Sequence, residues 1–84
     1  MFRFEVSSVE RLVRANAVLL EGVLLQGVIR TGDTARLELP DGPVEVQVKG
    51  VVRLPKDVPG QFSLTVALHQ LRNIDIPIGT CIKG

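Results

Sequence analysis

The sequence predicts an all-β fold, a small barrel or sandwich, on three observations. Apolar and polar residues alternate in four separate segments, Gly and Pro clusters punctuate those segments at short intervals, and 84 residues hold a single domain, residues 1–84. In so short a chain, closure into a barrel removes the unpaired strand edges that invite aggregation.

The elements follow in order. Phe2, Phe4 and Val6 alternate with Arg3, Glu5 and Ser7, the period of a strand with one buried face. Val9 to Ala15 is the only segment with helical spacing, through Val9, Leu12 and Val13, and it spans barely two turns. Ala35, Leu37 and Leu39 then alternate with Arg36 and Glu38, and Val44, Val46 and Val48 with Glu45, Gln47 and Lys49. Between these two runs, Pro40-Asp41-Gly42-Pro43 predicts a hairpin, because Asp-Gly favours positive φ and the prolines stop the strands from extending. Leu54 to Gly60, with Pro55, Pro59 and Gly60, reads as a loop. Leu64, Val66 and Leu68 alternate with Thr65, Ala67 and His69, and a last short strand is expected over Thr80 to Lys83.

Composition excludes several function classes. Apolar residues at 45% and charged residues at 23% match folded soluble domains, so disorder is not expected. A formal charge of +1 lacks the basic excess of an autonomous nucleic-acid binder. The lone cysteine, Cys81, has no partner for an intramolecular disulfide and fits a reducing, cytoplasmic setting. No run approaches the ~18 apolar residues of a membrane-spanning helix, and the Met1–Glu5 start lacks the layout of a signal peptide.

The most specific feature is a glycine ladder, Gly22-x4-Gly27-x4-Gly32-Asp33. Its spacing suits a bent strand that enters a tight turn at Gly27, then Val28-Ile29, then a second turn at Thr31-Gly32-Asp33. A phosphate loop needs Lys and Ser or Thr directly after its last glycine. Here Val28-Ile29 and Asp33-Thr34 stand in those places, and no nucleotide is expected.

With this ladder the chain resembles the second, β-barrel domain of translational GTPases of the elongation factor Tu class. Gly22, Gly27, Val28, Ile29, Gly32 and Asp33 match that family's pattern in order. Val48-Lys49-Gly50-Val51 is similar to its step after the hairpin, and Leu68 to Leu71 with Ile74 to Ile82 is similar to its closing segment. The resemblance covers Phe2 to Ile82 and implies a small closed six- to seven-stranded antiparallel barrel, here without the GTPase domain that normally precedes it. It implies no GTPase activity. Where relatives that carry aminoacyl-tRNA place acidic and polar groups, this chain has Val52, Phe62 and Ser63, so no binding residue carries over.

Catalytic groups are not expected. His69 reads as a surface histidine without a triad-like context, and Cys81 as a small buried hydrophobe without a base to favour its thiolate. One His and one Cys do not make a zinc site, and Asp33, Asp41, Asp57 and Asp75 sit beside Gly, Pro or Thr in turn contexts. The residues expected to shape turns and bends are Gly22, Gly27, Gly32, Asp33, Asp41, Gly42 and Gly79. Neither a metal nor a cofactor is expected.

Two surfaces remain. If Val18, Leu20, Gly22 and Leu24 face inward, then Leu19, Val23 and Leu25 form an outward apolar row broken only by Glu21. Such a row marks self-association or a protein partner, ahead of local cover by Val9 to Ala15 or Leu54 to Val58. Arg11 with Arg14, and Arg53 with Lys56, are the local basic clusters. The leading expectation is therefore a non-enzymatic interaction or assembly module. The alternatives are an RNA- or ribosome-associated accessory acting through the two basic clusters, and a fragment, or a subunit whose GTPase partner is a separate chain.

Overall fold

The structure, a computed structural model, describes residues 1–53, 60–71 and 74–84, with the backbone alone at Leu68. Six strands are β1 (Phe2–Leu12), β2 (Ala17–Gly27), β3 (Thr34–Leu39), β4 (Gly42–Arg53), β5 (Gln61–Ala67) and β6 (Cys81–Lys83). Single 3-10 turns lie at Val13–Ala15 and Leu68–Gln70. The strands close into one antiparallel barrel in the order β1-β2-β5-β4-β3-β6. The expected all-β closed barrel is thus observed, with six strands.

The inward alternation explains the core. Phe4, Leu20, Leu37, Leu64, Leu71 and Ile82 are fully buried together with Val6, Val18, Val48 and Val66. At roughly 1.5–3 kcal/mol for each fully buried large apolar side chain, this cluster supplies the main drive to fold. Three irregularities bend the strands enough to close. Ser7 is the extra residue on β1 between the Val6↔Gly22 and Ser8↔Glu21 pairs, Leu25 on β2 between Phe4↔Leu24 and Arg3↔Gln26, and Lys49 on β4 between Val48↔Val66 and Gly50↔Thr65.

The glycine ladder lies where the backbones crowd. A Cβ on Gly22 would fall on the Glu5 carbonyl and within 2.9 Å of the Phe4 ring. Gly27 combines φ +79° with the Met1 carbonyl in the space a side chain would need. Beyond it, Ile29 is buried at one end of the barrel, and the Arg30–Asp33 turn locks there. The Asp33 amide donates to the Arg30 carbonyl (3.1 Å), the Arg30 amide to the Asp33 carboxylate (2.9 Å), and the Gly32 amide to the Val48 carbonyl (2.8 Å). At the opposite end, the chain between β5 and β6 inserts Leu71 and Ile76, and a second turn at Pro77–Thr80 uses Gly79.

Three sequence expectations are corrected. Val9 to Leu12 belongs to β1, and only Val13–Ala15 turns as a 3-10 helix. The Ser7 bulge resets the alternation, so inward Val6 and Val9 stand three apart and imitate helical spacing. The hairpin turn is Pro40-Asp41 alone, since Leu39 pairs with Gly42. Pro43 is inside β4, in the part that pairs with β3 but not β5, where a missing N–H disturbs no second ladder. Finally, β5 stops at Ala67, and His69 sits exposed in the following 3-10 turn rather than on an outer strand face. The segment of the alternative local cover, Leu54 to Val58, and with it Lys56, lies outside the described residues.

Candidate functional site: the two outer faces of the barrel

Val18, Leu20 and Gly22 are buried as expected, and Leu24 is half-buried against the core, so Leu19, Val23 and Leu25 face outward. Leu19 and Val23 are half-buried, while Leu25, the bulge residue, is 55% exposed. Register gives this row its neighbours. Leu19 lies between Glu10 and Thr65, Glu21 between Ser8 and Ser63, and Val23 between Glu5 and Gln61. One strand further, Gly50 faces Thr65, and Val52, 57% exposed, faces Ser63.

The outer face of β2 and β5 therefore carries one charge, Glu21. That carboxylate accepts a hydrogen bond from the Ser8 hydroxyl (3.2 Å), on the β1 side, and the Ser7 hydroxyl donates to the Glu21 carbonyl (3.1 Å). What β2, β5 and the end of β4 present between them is Leu19, Val23, Thr65 and Val52: apolar or small, and uncharged.

Of the basic residues read from the sequence, Arg11 and Arg14 lie at one end of the barrel and Arg53 at the other. The Arg11 guanidinium donates from Nη1 to the Leu71 carbonyl (3.0 Å) and from Nη2 to the Ile74 carbonyl, so it ties β1 to the chain that closes the barrel end. Arg14 is exposed in the adjacent 3-10 turn. Arg53 is exposed at the C-terminal end of β4, which runs opposite to β1 in the closed sheet and so ends at the other end of the barrel. Lys56 is outside the described residues.

A different cationic group does assemble, and local sequence carries no sign of it. Arg3 pairs with Lys83, Lys83 with Arg36, and Arg36 with Glu45, which places three cations side by side across β1, β6 and β3. The next outward row along these strands is Glu5, Cys81 and Glu38. Glu38 bridges back to Arg36 (3.1 Å) and to Lys83 (3.8 Å). Cys81 is a free, half-buried thiol. Among the described residues no group of His, Cys, Asp and Glu could hold a metal ion, and no helix is long and apolar enough to cross a membrane. No family model, curated protein or solved structure matches the chain.

Proposed function

We propose that the chain is a cytoplasmic, non-enzymatic barrel that works as a protein-interaction or assembly module, resembling the second domain of translational GTPases. One observation carries this reading: the outer face of β2 and β5, whose one charge is Glu21, with Leu19 and Val23 half-buried and Leu25 and Val52 exposed. Solvated faces of antiparallel sheets normally alternate polar residues outward, and depletion of charge is the compositional mark of an interface core. The bent Gly22–Gly27 strand and the Gly32-Asp33 turn support the resemblance in the same order as the family pattern.

Sedimentation of the wild type beside a Leu19→Glu, Leu25→Glu double variant tests it, with a thermal melt to establish that the variant folds. The expected result is a wild type that self-associates or captures a protein partner, and a variant that does neither. Two monomers that retain the same partners would remove this face from consideration.

A further inference from the structure

The row formed by Arg3, Lys83 and Arg36 has no part in the interaction face just described. It lies on the β1–β6–β3 flank, where it borders a cleft of about 500 Å³ that also reaches Gln26, Thr34 and Glu45. That volume is within the ~300–1,000 Å³ usual for small-ligand sites. Neighbouring strands are about 4.8 Å apart, so three cations on three adjacent strands fall within about 10 Å of one another. Their inward neighbours Phe4, Leu37 and Ile82 are fully buried, which fixes the three side chains on the outer face.

Like charges directly opposite on paired strands repel, and here two such pairs stand in succession. Glu38 relieves part of that repulsion, yet both of its bridges are solvent-exposed, with Arg36 at 49% and Glu38 at 36% side-chain exposure. Exposed pairs of this kind contribute at most ~1 kcal/mol, so an arriving anion can take their place at low cost. Arg3 is exposed and holds no ion pair among the described residues.

We infer that this cleft binds a compact, multiply charged anion of the phosphate class through Arg3, Arg36 and Lys83. The arginine forks match phosphate oxygens two at a time, Lys83 adds a point charge between them, and the Thr34 hydroxyl and Gln26 amide are further donors at the rim. The width of the cationic stripe selects the size of the ligand. Along the strands, the next outward row is about 7 Å away and carries Glu5 and Glu38. A nucleic-acid backbone laid along the sheet would run from cations onto carboxylates, whereas a diphosphate spans the positive row alone.

Calorimetric titration at low ionic strength with inorganic pyrophosphate, and separately with orthophosphate, tests this, with amide NMR shifts to locate the site. The expected result is saturable pyrophosphate binding with shifts centred on residues 3, 34–36 and 83. Arg36→Gln and Lys83→Gln should each weaken it about tenfold, the scale of one charged hydrogen bond, and Arg53→Gln at the far end of β4 should leave it unchanged. Glu45→Gln, which removes the acid beside Arg36, should tighten binding and serves as the variant with least risk to the fold. No saturable binding, or binding that survives the Arg3→Gln, Arg36→Gln, Lys83→Gln combination, overturns the inference. So does a single-stranded RNA oligonucleotide that binds these residues more tightly than pyrophosphate, which would assign the row to a polyanion.

Discussion

The two flanks of this barrel share one core and differ in almost everything outside it. On the β1–β6–β3 flank the outward positions include Arg3, Glu5, Arg36, Glu38 and Lys83, with Thr34 and Cys81 uncharged among them. On the β2–β5 flank the corresponding positions are Leu19, Val23, Gln61, Ser63 and Thr65, with Glu21 the one charge. Folding asks only that the inward set be apolar, and Phe4, Leu20, Leu64 and Ile82 satisfy that equally on both sides. The outward sets are therefore free to specialise, and the contrast between them locates where contacts with other molecules are expected.

The sharpest way to break the comparison is to truncate two neighbours on β2. Leu20→Ala removes a fully buried side chain and should cost about 3 kcal/mol in urea unfolding. Leu19→Ala, one residue away on the outer face, should cost less than ~1 kcal/mol while reducing association. Equal costs would mean that Leu19 is covered from within the chain, and the β2–β5 face would lose its claim as a docking surface.

Arg11→Ala ranks next, at about 2 kcal/mol, because it leaves the Leu71 and Ile74 carbonyls without their guanidinium donor. The loss should show as faster amide exchange around Leu71 and Ile76 before it shows elsewhere. If exchange there is unchanged, the guanidinium is an ornament of the barrel end and not one of its ties. Arg11 would then return to the set of surface bases read from the sequence.

Much of the core was legible because a strand has a period of two, and that period survives in Phe2-Phe4-Val6, Ala35-Leu37 and Val46-Val48. The hairpin closed by Gly42 and the bend at Gly22 and Gly27 were legible for a similar reason: few residues other than glycine fit there. Lateral neighbours were not legible. Arg3, Arg36 and Lys83 meet only through the pairing of β6 with β1 on one side and β3 on the other, strands far apart in sequence whose pairing no local pattern marks. Hence Arg11 and Arg53, both read as local bases, lie at opposite ends of the barrel, while three cations distant in sequence form one row. The outward apolar row of β2 was legible as a departure from alternation, but its polar frame of Glu10, Thr65, Ser63 and Gln61 needed the sheet order.

The smallest expected effect sharpens the comparison most finely, because a carboxylate on each flank, Glu38 on one and Glu21 on the other, can be neutralised without changing its shape. Glu38→Gln should cost about 0.5 kcal/mol at low salt, through unrelieved repulsion between Arg36 and Lys83, and nothing measurable at high salt. The same change should strengthen pyrophosphate binding by making the cationic row more positive. Glu21→Gln keeps an oxygen for the Ser8 hydroxyl, so it should leave stability unchanged. In a titration repeated at physiological salt it should leave anion binding unchanged as well, since the barrel measures 32 × 27 × 23 Å and the Debye length is then only about 8 Å. If both substitutions tighten anion binding equally, net charge governs the interaction and the two flanks are electrostatically one surface. If only Glu38→Gln does so, the row across β1, β6 and β3 acts as a local site, and the charge-poor face of β2 and β5 is left to bind by shape and apolar contact.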